Sequence, residues 1–122
     1  MKPRIMYIER KPQGQHHDGA ARIGRVRFSQ SGKFLYYAGH ALEKLEKEGH
    51  GKANYADVVT SEGYWVSGCK KRGDDRLHAG SIEIDEDVRV EYWTKIRNMP
   101  ECCDQKTIRC TGKYGSKKGA RH

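Results

Sequence analysis

The chain has 122 residues, 35% of them hydrophobic and 33% charged, with a formal net charge of +8. That length makes one domain with a lean core; no apolar run approaches the ~20 residues of a membrane span, and Met1 to Arg10 lack the apolar stretch of a secretory signal, so a cytoplasmic protein with no membrane partner is expected. The charge is uneven: residues 1–30 carry a net +5, residues 104–122 a net +5 and residues 31–103 a net −2, a near-neutral centre with basic extensions that suits a polyanion.

In chain order, Ile5 to Ile8 reads as a short strand, and residues 11–20, polar and broken by Pro12, Gly14 and Gly19, read as a loop. From Arg22 the pattern alternates through Ile23, Gly24, Arg25, Val26, Arg27 and Phe28, with Val26 and Phe28 on one face, so a strand with a basic side follows. Residues 29–33 are a turn, and the aromatic run Phe34 to Ala38 is a second strand, making a hairpin. Residues 40–48 contain helix formers and a Glu43–Lys47 pair at i,i+4, which predicts a helix of at most two turns ended by Gly49. Asn54 to Val59 and Gly63 to Ser67 are strands joined by the turn Thr60 to Gly63. Residues 70–80 are a polar loop, and Ser81 to Ile84 a short fifth strand. The clearest helix covers about 85–97: Asp85 is the candidate N-cap, Val88, Tyr92 and Ile96 form the apolar stripe with Trp93 beside it, and Pro100 stops the chain from continuing as helix.

The expected fold class is mainly β (α+β), a small antiparallel sheet or SH3-like half-barrel of about five strands with one C-terminal helix. The expected organisation is a basic N-terminal segment and loop at 1–21, a folded domain at 22–98 and a basic tail without fixed shape at 99–122.

Chemistry-bearing patterns are sparse. Cys69, the adjacent Cys102 and Cys103, and Cys110 show no disulfide framework, so four free thiols are expected. The spacing CC-x6-C lacks the CxxC knuckle that sets tetrahedral zinc geometry, and His16–His17 would point apart in an extended chain, so no metal and no cofactor are expected. Cys69 and His78 invite a thiol–imidazole pairing, but no orienting third group or oxyanion hole accompanies them, and the reading leans away from an enzyme. The segment Ser67 to Arg76 is neither a P-loop nor a GxGxxG turn; its two glycines and its cations Lys70, Lys71 and Arg72 suit a phosphate backbone, or simply a solvated loop.

The residues Ile23-Gly24-Arg25-Val26, Gly32-Lys33, Leu35-Tyr36-Tyr37, Tyr64-Trp65-Val66-Ser67-Gly68, Lys70-Lys71, Gly73, Asp75-Arg76 and Ile84-Asp85-Glu86-Asp87-Val88 with Glu91-Tyr92-Trp93 resemble a group of small bacterial proteins without an assigned activity. The likeness covers about three fifths of the chain, from Arg22 to Arg97, and leaves out the cysteine-containing tail. Some members of that group bear the name of deoxyxylulose phosphate synthase, for which this chain is far too short. The resemblance implies a bacterial source and a shared fold, and supplies neither an activity nor site residues.

The functional expectation is a non-enzymatic module for an RNA or DNA backbone, RNA ahead of DNA. Its residues would be Arg22, Arg25 and Arg27 on the strand face, Tyr37 and Trp65 as stacking rings, Lys70, Lys71, Arg72 and Arg76 in the loop, and Lys113, Lys117 and Lys118 in the tail. The alternative is a protein-interaction module using a sheet edge or an aromatic groove.

Overall fold

The computed structural model describes residues 2–11, 20–46, 53–76 and 80–110. Six strands follow one another around a closed ring: β1 Arg4–Lys11, β2 Ala21–Phe28, β3 Phe34–Tyr37, β4 His40–Lys44, β5 Tyr55–Asp57 and β6 Gly63–Gly68. Each is antiparallel to the next, and β6 returns to pair with β1 through Met6↔Gly68 to Lys11↔Gly63. The expected mainly-β barrel is therefore present, with six strands closing a ring in place of a half-open sheet of about five.

Two further strands lie outside the ring. β7, Gly80–Ile84, runs parallel to β2 through Arg22↔Glu83 and Ile23↔Ile84, and β8, Thr107–Cys110, pairs antiparallel with β7. Between them runs a helical segment: a 3-10 turn Glu86–Val88, one α-helical turn α1 Arg89–Glu91, and a π-helical stretch Tyr92–Ile96. Its apolar side is the expected one, with Val88, Tyr92 and Trp93 buried. Asp85 does not cap it: its carboxylate is spent elsewhere, and no side-chain cap bond forms.

Strand alternation sorts the apolar residues into two cores. Inside the barrel pack Met6, Ile8, Val26, Leu35, Leu42, Tyr55 and Val66. Outside it, Tyr7, Ala21 and Ile23 pack against Ile82, Ile84, Val88, Tyr92, Trp93 and Cys110. β1 is thus covered on both faces, and Met6, Tyr7, Ile8 and Glu9 are all buried. That explains its unbroken apolar run, and it makes the N-terminal segment a wall of the barrel, where a separate unit at 1–21 was expected.

Two other expectations change. Residues 40–44 form a strand because Leu42 fills the barrel opposite Leu35, and burial of that face outweighs local helix propensity. The chain beyond 98 also stays folded as far as Cys110: a 3-10 turn Pro100–Cys102 leads into β8, and the Trp93 Nε1 donates to the Gln105 carbonyl at 2.9 Å. Residues 111–122, the rest of the expected tail, lie outside the described residues. No helix among the described residues is long and apolar enough to cross a membrane.

Candidate nucleic-acid interface

Antiparallel closure brings alternate strand termini to the same end of the barrel. One end collects the start of β1, the end of β2, the start of β3, the end of β4 and the end of β6. Lys2, Arg4, Arg27, Lys44, Lys70, Lys71 and Arg72 all fall there, all exposed, and none forms an ion pair within 4.0 Å among the described residues, although the Lys70 charge acts on Asp75 from a longer range. Lys33 is also at this end, paired with Glu43 at 3.6 Å, and Glu46 follows β4. The Arg4 guanidinium reaches to 4.0 Å from where a side chain on Gly68 would begin, which sets it against the root of the Lys70 loop. On the outer wall Arg27 stands opposite Tyr36 in register, and Tyr36 is 46% exposed. An open ring beside an unpaired guanidinium is a stacking surface in a positive field.

The Lys70–Arg72 crest is held in place by its own chain. Asp75 accepts the Lys70 backbone N–H at 2.8 Å and the Arg97 Nη2 at 3.2 Å, while the Arg97 Nε donates to the Tyr92 hydroxyl at 2.8 Å. Side-chain exposure is 9% for Arg97 and 1% for Asp75, so this is a buried ion pair tying the loop to the helical segment. Burial raises the Asp75 carboxyl's pKa, and the Lys70 amide and Arg97 oppose that shift.

The remaining expected residues do not join this end. Arg22 shares the inward face of β2 with Val26, whereas Arg25 and Arg27 share the outward face, so the three do not make one positive surface. Arg22 Nε donates to Asp85 Oδ1 and Nη1 to Glu83 Oε2, both at 2.7 Å. Arg25 pairs with Glu91 at 3.2 Å and lies 3.8 Å from Asp87. Tyr37 donates its hydroxyl to Asp85 Oδ2 at 2.5 Å, and burial, then Asp85, pushes its phenol well above the ordinary range. Trp65 is half-buried against the outer core. Arg76 donates to the Ser81 carbonyl at 3.1 Å. Lys113, Lys117 and Lys118 lie outside the described residues. Lys2, Arg4, Lys44 and Tyr36 were missed because their placement depends on barrel closure and register, which no local pattern carries.

The opposite end of the barrel is different. There the inward positions of the ring are Arg10, Arg22, Tyr37, His40, Asp57 and Tyr64, and a cavity of about 380 Å³ opens above Ile8 and Leu42. His40 Nδ1 and Asp57 Oδ2 are 2.9 Å apart, and Asp57 also accepts the Val59 and Thr60 amides at 2.8 and 3.2 Å. The Val59 amide is the main cause holding the Asp57 carboxyl below its ordinary value, with Thr60 and His40 adding to it.

Burial pushes the Cys69 thiol up to about 12, against a thiolate at neutral pH. His78 lies outside the described residues. No cluster of three metal-ligating side chains exists among the described residues. No family model, curated protein or solved structure matches this chain.

Proposed function

We propose that this protein is a non-enzymatic module that binds the sugar–phosphate backbone of RNA or DNA at the basic end of its barrel. The observation that carries the reading is the gathering of unpaired cations from four separate segments — Arg4, Arg27, Lys44 and Lys70 to Arg72 — at one end of a closed scaffold. Phosphate contacts need fixed, uncommitted donors, and the Asp75–Arg97 pair fixes the loop that supplies three of them. Single-stranded RNA is the first target, because the exposed Tyr36 beside Arg27 suits an unstacked base. Arg22, Arg25 and Arg76, already committed within the fold, drop out of the interface.

The test is fluorescence anisotropy of the full chain with a labelled oligouridine and the matching oligodeoxythymidine, from about 50 to about 300 mM salt. Affinity falls steeply with salt, and replacing Lys70, Lys71 and Arg72 with Ala flattens the log–log slope by up to about 2, at ~0.7 per single-strand phosphate contact. Arg25→Ala leaves binding unchanged. Binding that is absent at micromolar protein, or indifferent to salt, rejects the proposal.

A second reading follows from β8. Ring closure removes the edges of the six barrel strands, but among the described residues no strand pairs with the outer edge of β8, which suits an added strand from a protein partner. A nuclease-insensitive, stoichiometric partner in a pull-down would favour it.

A further inference from the structure

The barrel is plugged by apolar side chains through most of its length and then changes character in its last layer. Below are Met6, Val26, Leu35, Tyr55 and Val66; at the mouth the inward positions hold Arg10, Arg22, Tyr37, His40 and Tyr64. Packing alone calls for aliphatic residues at such positions. Polar and aromatic side chains around an apolar floor, with about 380 Å³ left open, are the composition of a ligand site at a barrel mouth.

We infer that this mouth binds a small planar ring bearing one anionic group, an aromatic carboxylate being the simplest case. The floor of Ile8 and Leu42 and the flanking rings of Tyr37 and Tyr64 suit a flat apolar body. The charge preference comes from which groups are already committed. Asp85 is taken by Arg22 and Tyr37, and Asp57 by two amides and His40. These carboxylates are engaged by donors of the fold, which leaves few of their lone pairs for a cation. Arg10 spends Nη1 on Glu62 at 3.2 Å, in an exposed pair, and keeps Nε and Nη2 uncommitted among the described residues. His40 gives its Nδ1–H to Asp57, so in that tautomer its Nε2 is an acceptor and adds no donor for an anion. Arg10 stands at the rim on β1, so an anionic group at the opening meets its Nε and Nη2 donors while the ring lies on the floor. This site is at the other end of the barrel from the basic surface and does not depend on it.

The probe is benzoate, with benzyl alcohol and benzylammonium as its neutral and cationic counterparts, titrated into isotope-labelled full-length protein and followed by NMR. Benzoate is expected to shift the Ile8 and Leu42 methyl signals saturably, and to bind at least about fivefold more tightly than either counterpart. Arg10→Gln, a change on an exposed side chain, weakens benzoate about tenfold, while Arg27→Gln at the far end changes nothing. Three results overturn the inference: no saturable shift at Ile8 and Leu42 up to about 20 mM benzoate, equal affinity for the neutral or cationic probe, or full affinity in Arg10→Gln.

Discussion

Asp85 joins three elements through one carboxylate: Arg22 from β2 at 2.7 Å, Tyr37 from β3 at 2.5 Å, and its own position at the end of β7, where its amide donates to the Ile23 carbonyl at 2.9 Å. In the sequence it reads as an N-cap, since an acidic residue before a helical stripe is the usual signal; the preference of a half-buried carboxylate for Arg and Tyr partners outweighs the cap bond and appears only once the strands are assembled. Gly24 makes the arrangement possible. A Cβ there would stand 2.5 Å from Asp85 Oδ2 and overlap the Tyr37 ring. Gly24→Ala is therefore expected to destabilise the protein by about 1–3 kcal/mol through overpacking, lowering Tm by several degrees. It should also move the Tyr37 phenol back toward the ordinary range, because the ring loses both its burial and its Asp85 partner. Thermal denaturation and ultraviolet titration of tyrosine check the two parts; an unchanged Tm would show that the contact yields without cost.

At the scale of elements, strands with a strong local signature were legible and strands defined by pairing were not. The alternation of Arg22 to Phe28 and the aromatic run at Phe34 to Tyr37 named β2 and β3 correctly. β4 was hidden because Ala41, Leu42, Glu43 and Lys44 are good helix formers, and because its turn lacks an Asn-Gly signal. The turn is nevertheless a two-residue hairpin loop: Tyr37 pairs with His40, and Ala38 and Gly39 both have positive φ, 50° and 83°. That geometry suits Asn-Gly better than Ala-Gly, since an Ala side chain in the left-handed region is strained. Ala38→Asn is expected to stabilise the fold by about 0.5–1 kcal/mol, seen as a higher urea midpoint at unchanged m. A lower midpoint would mean that the neighbouring cavity wall at Ala38 matters more than the turn.

At the scale of the whole molecule, the two basic ends of the sequence turn out to have different fates. The N-terminal cations Lys2 and Arg4 are carried by β1 to the barrel end where the Lys70–Arg72 loop and Arg27 also arrive. Composition could report their number but not this convergence, which is a product of the closed six-strand order. The C-terminal boundary was misread for a related reason. Residues 101–110 carry too few apolar groups to fold alone, yet Ile108 and Cys110 complete the outer core against Ile82 and Tyr92, and Gln105 satisfies Trp93. A chain ended after Arg97 should therefore lose its cooperative transition, because β8 is stripped from β7 and the buried Trp93 loses its acceptor. A chain ended after Cys110 should melt within about 2 °C of the full protein, since no described core contact is removed. The same shorter chain also separates fixed charge from terminal charge. It lacks Lys113, Lys117, Lys118 and Arg121, so its salt slope for oligouridine should fall by no more than about 3. Binding must persist, and must still respond to replacement of Lys70, Lys71 and Arg72. If the shorter chain melts normally but no longer binds, the polyanion affinity belongs to residues 111–122 and the basic end of the barrel is not an interface.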